Sequence, residues 1–411
     1  MKRREFMTLV GGAATLPFAG AAESQAQSGS PAAAIDTVLR EAVERGVVTG
    51  VVGMAADRKG TFYEGVYGTA DIAEKRPLKL DSMFRIASMT KAITSTSALQ
   101  LVEKGVFAIE DPVEKYLPQL KNAPVVESFS ATTGDYKMRP AKRPVTVRHL
   151  MTHTSGLGYP FTDPVTRDFK AKPGEDYPLF LVFDPGERWL YSTSTDWLGR
   201  LIEKVSGKSL EDYFHEHVCA PLGMNDTSYF VPKDKEARLV TVDRRLPDGS
   251  LTKDANQPPT QGFTPIGGGG LTSTASDYLR FTRAILNGGE LDGVRILSPA
   301  TVKLMQENHI GDIGVPAQKT AIPERSEDFS FIDAGRDKWS LAFLITSEGV
   351  PGKRSAGSLS WGGIDNTYYW LDPARGITGT IMMQFLPFAD RKALALYDGF
   401  ERGVYRLADA R

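Results

Sequence analysis

The sequence predicts an α+β fold, and three observations carry that reading. Ile35, Val38, Leu39, Ala42 and Val43 recur at helical spacing, and Gly46 supplies a stop. Two strand-like runs follow at once, 49–56 and 61–67, joined by the turn residues Asp57-Arg58-Lys59-Gly60. The last third then turns to strands, at 339–346, 357–361, 367–371 and 379–385, before a closing helix from about Ala389 to Leu407. A helix followed by an antiparallel hairpin is not the strand–helix alternation of a Rossmann or barrel enzyme.

The 411 residues are enough to bury a large core, and 41% hydrophobic with 24% charged residues is ordinary for a soluble globular chain. A formal net charge of −1 gives no footing for nucleic acid or a polybasic membrane contact. Cys219 is the single cysteine, so no intramolecular disulfide forms and a buried small hydrophobe is expected there. No segment after the N-terminus approaches the apolar length of a membrane span. The start itself reads as an export signal over 1–26. Met1-Lys2-Arg3-Arg4-Glu5-Phe6-Met7 is basic, 9–22 is mildly apolar, and small residues offer cleavage after Ala21 or Ala26. The arginine pair resembles a twin-arginine signal, with Thr8 where that pattern often has lysine, and implies a periplasmic or secreted bacterial protein.

After the hairpin comes Phe84-Arg85-Ile86-Ala87-Ser88-Met89-Thr90-Lys91, which opens an apolar, helix-compatible run ending near Lys104-Gly105. Three residues apart on a helix is one turn, so Ser88 and Lys91 share a face with their polar ends in reach. A serine hydroxyl is a poor nucleophile without a neighbouring base or cation, and a helix start adds free N–H groups that suit an oxyanion. A second S-x-x-K, Ser250 to Lys253, follows the turn Pro247-Asp248-Gly249 and reads as an exposed loop.

The middle of the chain reads as helical with long loops, 122–144 and 158–188 being rich in proline, glycine and charge. His153-Thr154-Ser155-Gly156-Leu157 reads as a structural turn, because neighbouring residues in one segment rarely aim at each other. No G-x-S-x-G exists to make a nucleophile elbow. A Pro185-Gly186 turn then delivers Tyr191 to the mouth of a helix whose apolar face is Trp197, Leu198, Leu201, Ile202 and Val205. Tyr191 is a candidate base, set among small hydroxyl residues. Ser209 starts the next helix, on which His215 and His217 point to different sides, so no metal site is expected. Gly267 to Gly270 lacks the lysine of a phosphate loop and reads as a tight turn before a helix capped near Thr274. In Ser360-Trp361-Gly362-Gly363-Ile364, glycines inside a strand let another backbone or a substrate come close.

In this order and rough spacing, these stretches resemble the serine beta-lactamase-like superfamily of penicillin-recognising enzymes, most of all its family VIII carboxylesterases. The likeness runs from about Ala33 to Leu407. Ser88-Met89-Thr90-Lys91 matches the nucleophile motif, Tyr191-Ser192-Thr193 the tyrosine motif, and Trp361-Gly362-Gly363 the third motif in its esterase form. The resemblance implies a beta-lactamase/transpeptidase-like domain over 33–408: an antiparallel sheet flanked by the first and last helices, with a mostly helical region at roughly 90–265 inserted. It implies that Ser88 attacks a carboxylic ester through an acyl-enzyme, with Tyr191 or Lys91 as the base. The backbone N–H groups of Ser88 and Ile364 would hold the oxyanion, and Trp361, Gly362, Gly363 and Thr193 would line the substrate. A phenol titrates near pH 10, so a tyrosine base needs a cation within hydrogen-bond reach to favour its anion. Thr193 stands where the family has asparagine, and Trp361 where lactamases have a cation, with Lys353 and Arg354 as the nearby cations that could replace it. Losing that cation favours a neutral ester over an anionic lactam or peptide terminus. The same machinery suits a beta-lactamase, a D-amino-acid peptidase or a short-oligoamide hydrolase, and a scaffold without chemistry would be a binding protein. No cofactor or metal is implied; the partner is a small-molecule ester or amide. Loops 122–144, 158–188 and 306–336 are expected to set its shape.

Overall fold

The computed structural model describes residues 30–175, 179–332 and 334–411, so the export signal read at 1–26 lies outside the described residues. Its centre is an eight-stranded antiparallel sheet. In chain order the strands are β1 (Gly50–Asp57), β2 (Thr61–Asp71), β3 (Arg76–Pro77), β4 (Lys338–Trp339), β5 (Leu344–Ile345), β6 (Leu359–Gly363), β7 (Thr367–Asp372) and β8 (Ile377–Met382). They lie side by side as β4-β5-β6-β7-β8-β1-β2-β3. The two ends of the chain are thus stitched together at the middle of the sheet, with Val52 opposite Met382.

Helices cover both faces. The hydroxyl of Ser30 caps α1 (Pro31–Glu44) by accepting from the Ala33 N–H, and the helix buries Ile35, Leu39 and Ala42. The long last helix, Arg391–Asp409, is capped by Asp390 and buries Leu396, Phe400 and Val404 beside them. Each such side chain removed from water is worth about 1.5–3 kcal/mol. On the other face lies the helix Ala275–Leu286, capped by the Thr274 hydroxyl, with Tyr278 tilted on Tyr369 of β7 at 5.0 Å between centroids. These three helices begin and end within a few residues of where periodicity and capping place them.

The helix that carries the site, α2 (Thr90–Glu103), is buried from Thr90 to Leu101. Several of its polar side chains are bonded internally. Thr94 donates to the Gly267 carbonyl at 2.7 Å, and Gln100 donates to the carbonyls of His217 and Ile296. A helix with no polar face belongs inside, here packed against the helix α3 (Ser194–Ser206), whose Leu198, Leu201 and Ile202 are buried.

Three expectations need correction. The strand read as 339–346 is two short strands separated by a turn, because the Ser340 hydroxyl accepts from the N–H groups of Ala342 and Phe343 and folds the chain back. The run read as 379–385 leaves the sheet after Met382, and Phe385–Leu386 pairs in parallel with Asp243–Arg244 instead. Part of the excursion 122–144 is ordered as a hairpin, Val125–Phe129 with Tyr136–Arg139.

Candidate active site

Ser88 sits at the junction of a short strand and a buried helix. Phe84–Arg85 is pinned antiparallel to Thr272–Ser273, and Ala87–Met89 then form a 3₁₀ turn that runs straight into α2. Ala87 has φ +43, a left-handed conformation that costs a residue with a Cβ of order 1–3 kcal/mol. The sharp reversal leaves Ser88 partly exposed while Lys91, one turn on, is buried at 3% exposure. The two polar ends meet: Lys91 Nζ lies 3.2 Å from Ser88 Oγ.

Lys91 has two further acceptors that the sequence did not point to. Its Nζ donates to the Gly268 carbonyl at 2.6 Å and to the Tyr159 hydroxyl at 3.2 Å. Burial, with the Asp196 carboxylate nearby, pushes the Tyr159 phenol well above the ordinary tyrosine range, so it stays neutral. Gly268 is wedged against this group. A Cβ there would stand 2.3 Å from Asp196 Oδ1 and 2.7 Å from the Tyr159 hydroxyl, so only glycine can bring its carbonyl to Lys91. The glycine run is therefore a tight turn, as its composition suggests, but one whose backbone forms part of the site.

Tyr191 is close to Lys91, though not in the contact the sequence led us to expect. Lys91 Nζ lies over the Tyr191 ring, 4.7 Å from its centroid, and the phenol oxygen accepts instead from Trp361 Nε1 at 3.3 Å. The ring is fixed from behind by His153, whose centroid is 4.9 Å away. His153 holds the segment as well: its Nδ1 accepts from the Ser192 N–H at 3.3 Å, and its carbonyl accepts from the Leu190 N–H at 3.0 Å. Burial, with Lys91 adding to it, pushes the His153 imidazole well below its ordinary range. Ser155 and Ser194 share a hydrogen bond of 2.7 Å between the same two segments. The His153–Leu157 stretch thus works as a clamp on the tyrosine loop.

The third motif closes the site from the sheet. Gly363, the last residue of β6, lies so near the strand before Ser88 that a Cβ would stand 2.4 Å from the Ile86 carbonyl oxygen. Ile364 begins the turn that follows, and Gly362 lies on Tyr368 and the Thr367 backbone. Trp361 is buried, edge-on to Trp339 at 4.7 Å and to Phe331 at 5.1 Å, with its single N–H directed at Tyr191. Thr193 is the N-cap residue of α3, its Oγ1 3.5 Å from the Gly158 carbonyl. A pocket of about 280 Å³ opens beside the serine turn, lined by Arg85, Ala87, Tyr229, Phe263 and Asp365 among others.

Several other candidates are drawn elsewhere. Lys353 pairs with Asp398 at 2.9 Å and with Glu401 at 3.1 Å, and Arg354 with Glu401 at 2.7 Å; both cations serve the last helix rather than the third motif. Ser250 is exposed and donates to Asp248, while Lys253 pairs with Asp71. Among the described residues no group of three or more His, Cys, Asp or Glu side chains is placed to hold a metal. Tyr159, Asp196 and Gly268 are the site residues sequence reasoning missed. Tyr159 stands two residues past the clamp and Asp196 on the first turn of α3. What the assembly can do is present a hydroxyl, hydrogen-bonded to a buried amine, at a helix start where backbone donors gather.

Known proteins share this layout. The family described as Beta-lactamase matches residues 35–400. Monacolin J acid methylbutanoyltransferase of Aspergillus terreus is 30% identical, over 92% of this chain and 97% of its own. Lovastatin esterase of Penicillium rubens is 29% identical, over 90% of this chain and 98% of its own. A solved structure of simvastatin synthase from Aspergillus terreus, a mutant form, superposes with a TM-score of 0.79 at 28% identity, covering 93% of this chain and all of that one. The chain belongs to the beta-lactamase family, and it is an enzyme of that family's serine hydrolase and acyltransferase kind.

Proposed function

We propose that this enzyme is a carboxylesterase of the family VIII type, acting on neutral esters through an acyl-enzyme on Ser88. The observation that carries the reading is the 3.2 Å contact between Ser88 Oγ and Lys91 Nζ at the start of a buried helix. Ser88 Oγ attacks the ester carbonyl, and its proton passes to Tyr191. The oxyanion is received by the N–H groups of Ser88 and Ile364, a pairing supported by how closely the end of β6 lies against the Ser88 turn. The alcohol leaves, and water hydrolyses the acyl-serine.

Neutral substrates are favoured because the position of the lactamase cation is an indole, and the cations near it in sequence are paired with Asp398 and Glu401. The pocket beside Ala87 is large enough for a small acyl or alcohol group. A second reading, transfer of the acyl group to an alcohol in place of water, is favoured by the relative named as a methylbutanoyltransferase. Both share the first half-reaction.

The test uses p-nitrophenyl butyrate and a chromogenic cephalosporin with the mature protein and its Ser88→Ala variant. We expect ester turnover that falls at least 10³-fold in the variant, with little cephalosporin hydrolysis. Efficient cephalosporin cleavage would sink the ester preference. Adding a primary alcohol and measuring new ester by mass spectrometry separates transfer from hydrolysis.

The paired arginines at the start also support export in the folded state through a twin-arginine route to the periplasm or beyond. Replacing Arg3 and Arg4 by lysine should keep the protein in the cytoplasmic fraction of a bacterial host; unchanged export would refute the route.

A further inference from the structure

We propose that Gln384 and Asn366 are positioning residues of this site: they tie the two backbone segments that carry the oxyanion donors, the N–H groups of Ser88 and Ile364, to the single segment 384–387, and so fix the spacing of those donors. The inference rests on the serine-hydrolase reading above, in which the two N–H groups act as a pair. Both side chains are buried, Gln384 at 3% exposure and Asn366 at 0%. Each acts through the backbone of its neighbours rather than on the substrate.

Gln384 secures the approach to Ser88. The short strand Phe84–Arg85 pairs with Thr272–Ser273, and the Gln384 carboxamide bonds the same strand much as a further strand would. Its Oε1 accepts from the Arg85 N–H at 2.8 Å, and its Nε2 donates to the Arg85 carbonyl at 3.4 Å. Between Arg85 and Ser88 lies Ala87 with its left-handed backbone. Such a turn keeps its shape only where the surroundings over-determine it, and the bridge to Gln384 is one of the ties that do so.

Asn366 secures the other donor. It closes the turn from β6 to β7, its N–H donating to the Gly363 carbonyl at 3.0 Å, and its φ of +61 is a left-handed backbone that asparagine accepts more readily than most residues. Its side-chain amide donates to the carbonyls of Phe385 and Pro387, both at 2.8 Å, and accepts from the Tyr368 hydroxyl at 2.7 Å. The Phe385 N–H bonds back to the Asp365 carbonyl at 3.1 Å, one residue past Ile364. The anchoring segment is itself held, because the Asp243 N–H donates to the Gln384 carbonyl at 2.9 Å and Phe385–Leu386 pairs with Asp243–Arg244. Leaving the sheet after Met382 thus brings one fastened segment against both the strand before Ser88 and the turn after Gly363.

Gln384→Met removes both bonds to Arg85 at similar volume, and Asn366→Gly keeps the left-handed backbone while removing the three side-chain bonds. Each variant is compared with the native protein on a p-nitrophenyl ester and on its thiono analogue, in which sulfur replaces the carbonyl oxygen. Sulfur accepts hydrogen bonds weakly, so the thiono ester draws less on the N–H pair. With the oxygen ester we expect kcat to fall about 10- to 100-fold while KM stays within about two-fold, as misplaced donors lose transition-state stabilisation. The thiono ester should lose less than about three-fold, so the ratio of the two rates falls. A role in folding alone lowers both rates in proportion to the active sites lost. An unchanged ratio in a folded variant therefore overturns that residue's role, and either variant serves where the other fails to fold. Ester turnover that persists in Ser88→Ala would instead remove the serine-hydrolase reading, a separate outcome read in the same assay.

Discussion

On the esterase reading, Trp361 changes what the site accepts while keeping it assembled. Where a lysine would offer a charge to the substrate, the indole is turned inward, and its N–H meets the Tyr191 oxygen at 3.3 Å. That donor fixes the phenol oxygen of Tyr191, so the indole also orients the tyrosine. Phenylalanine at 361 would keep most of the contacts with Trp339 and Phe331 but lose the donor. A hydrogen bond of this kind is worth about 0.5–1.5 kcal/mol net, so Trp361→Phe should lower kcat roughly 2- to 10-fold. An unchanged kcat with a reduced melting temperature would mean that Trp361 only packs.

At the scale of elements, the features readable in the sequence were those set by local physics. Helical spacing and caps located α1, the helix after Thr274 and the last helix, because each has an apolar stripe and a hydroxyl or carboxylate at its start. The S-x-x-K spacing put Ser88 and Lys91 on one face for the same reason. What could not be read was set by contacts far apart in the chain. Nothing local marks Gly268 as the residue whose carbonyl reaches Lys91, 177 positions away. Nor does sequence show that the phenol of Tyr191 turns to Trp361, 170 positions on, while its ring lies under the ammonium. Tyr159 was hidden in a loop with no period to read. The break in the strand 339–346 came from a serine folding back on its own backbone, an option that apolar runs on either side concealed.

For the whole molecule, the active cleft depends on the sheet being closed by the two ends of the described chain. β1 and β8 pair at its middle, and the first and last helices lie together over that seam. The last helix is fastened by a buried ion pair. Arg354, just ahead of β6, bonds Glu401 at 2.7 and 2.8 Å and the Tyr397 hydroxyl at 2.6 Å, with both charged side chains at 1% exposure or less. Tyr405 of the same helix donates to Asp372 at the end of β7, whose carboxylate also accepts from the Ser355 and Arg375 N–H groups. The clamp therefore holds the strand pair that ends in the Gly362-Gly363 motif, so its loss should be felt in the site as well as in stability. Glu401→Gln leaves a guanidinium buried without a counter-charge, which costs about 3–5 kcal/mol when one partner is removed. We expect a melting temperature lower by roughly 4–6 °C for a domain of this size. Replacing the pair together, Arg354→Met with Glu401→Leu, removes both charges and should recover most of that loss, as buried pairs gain little over well-packed apolar side chains. If the single variant melts with the native protein, the buried pair adds no net stability and the sheet is held by packing alone.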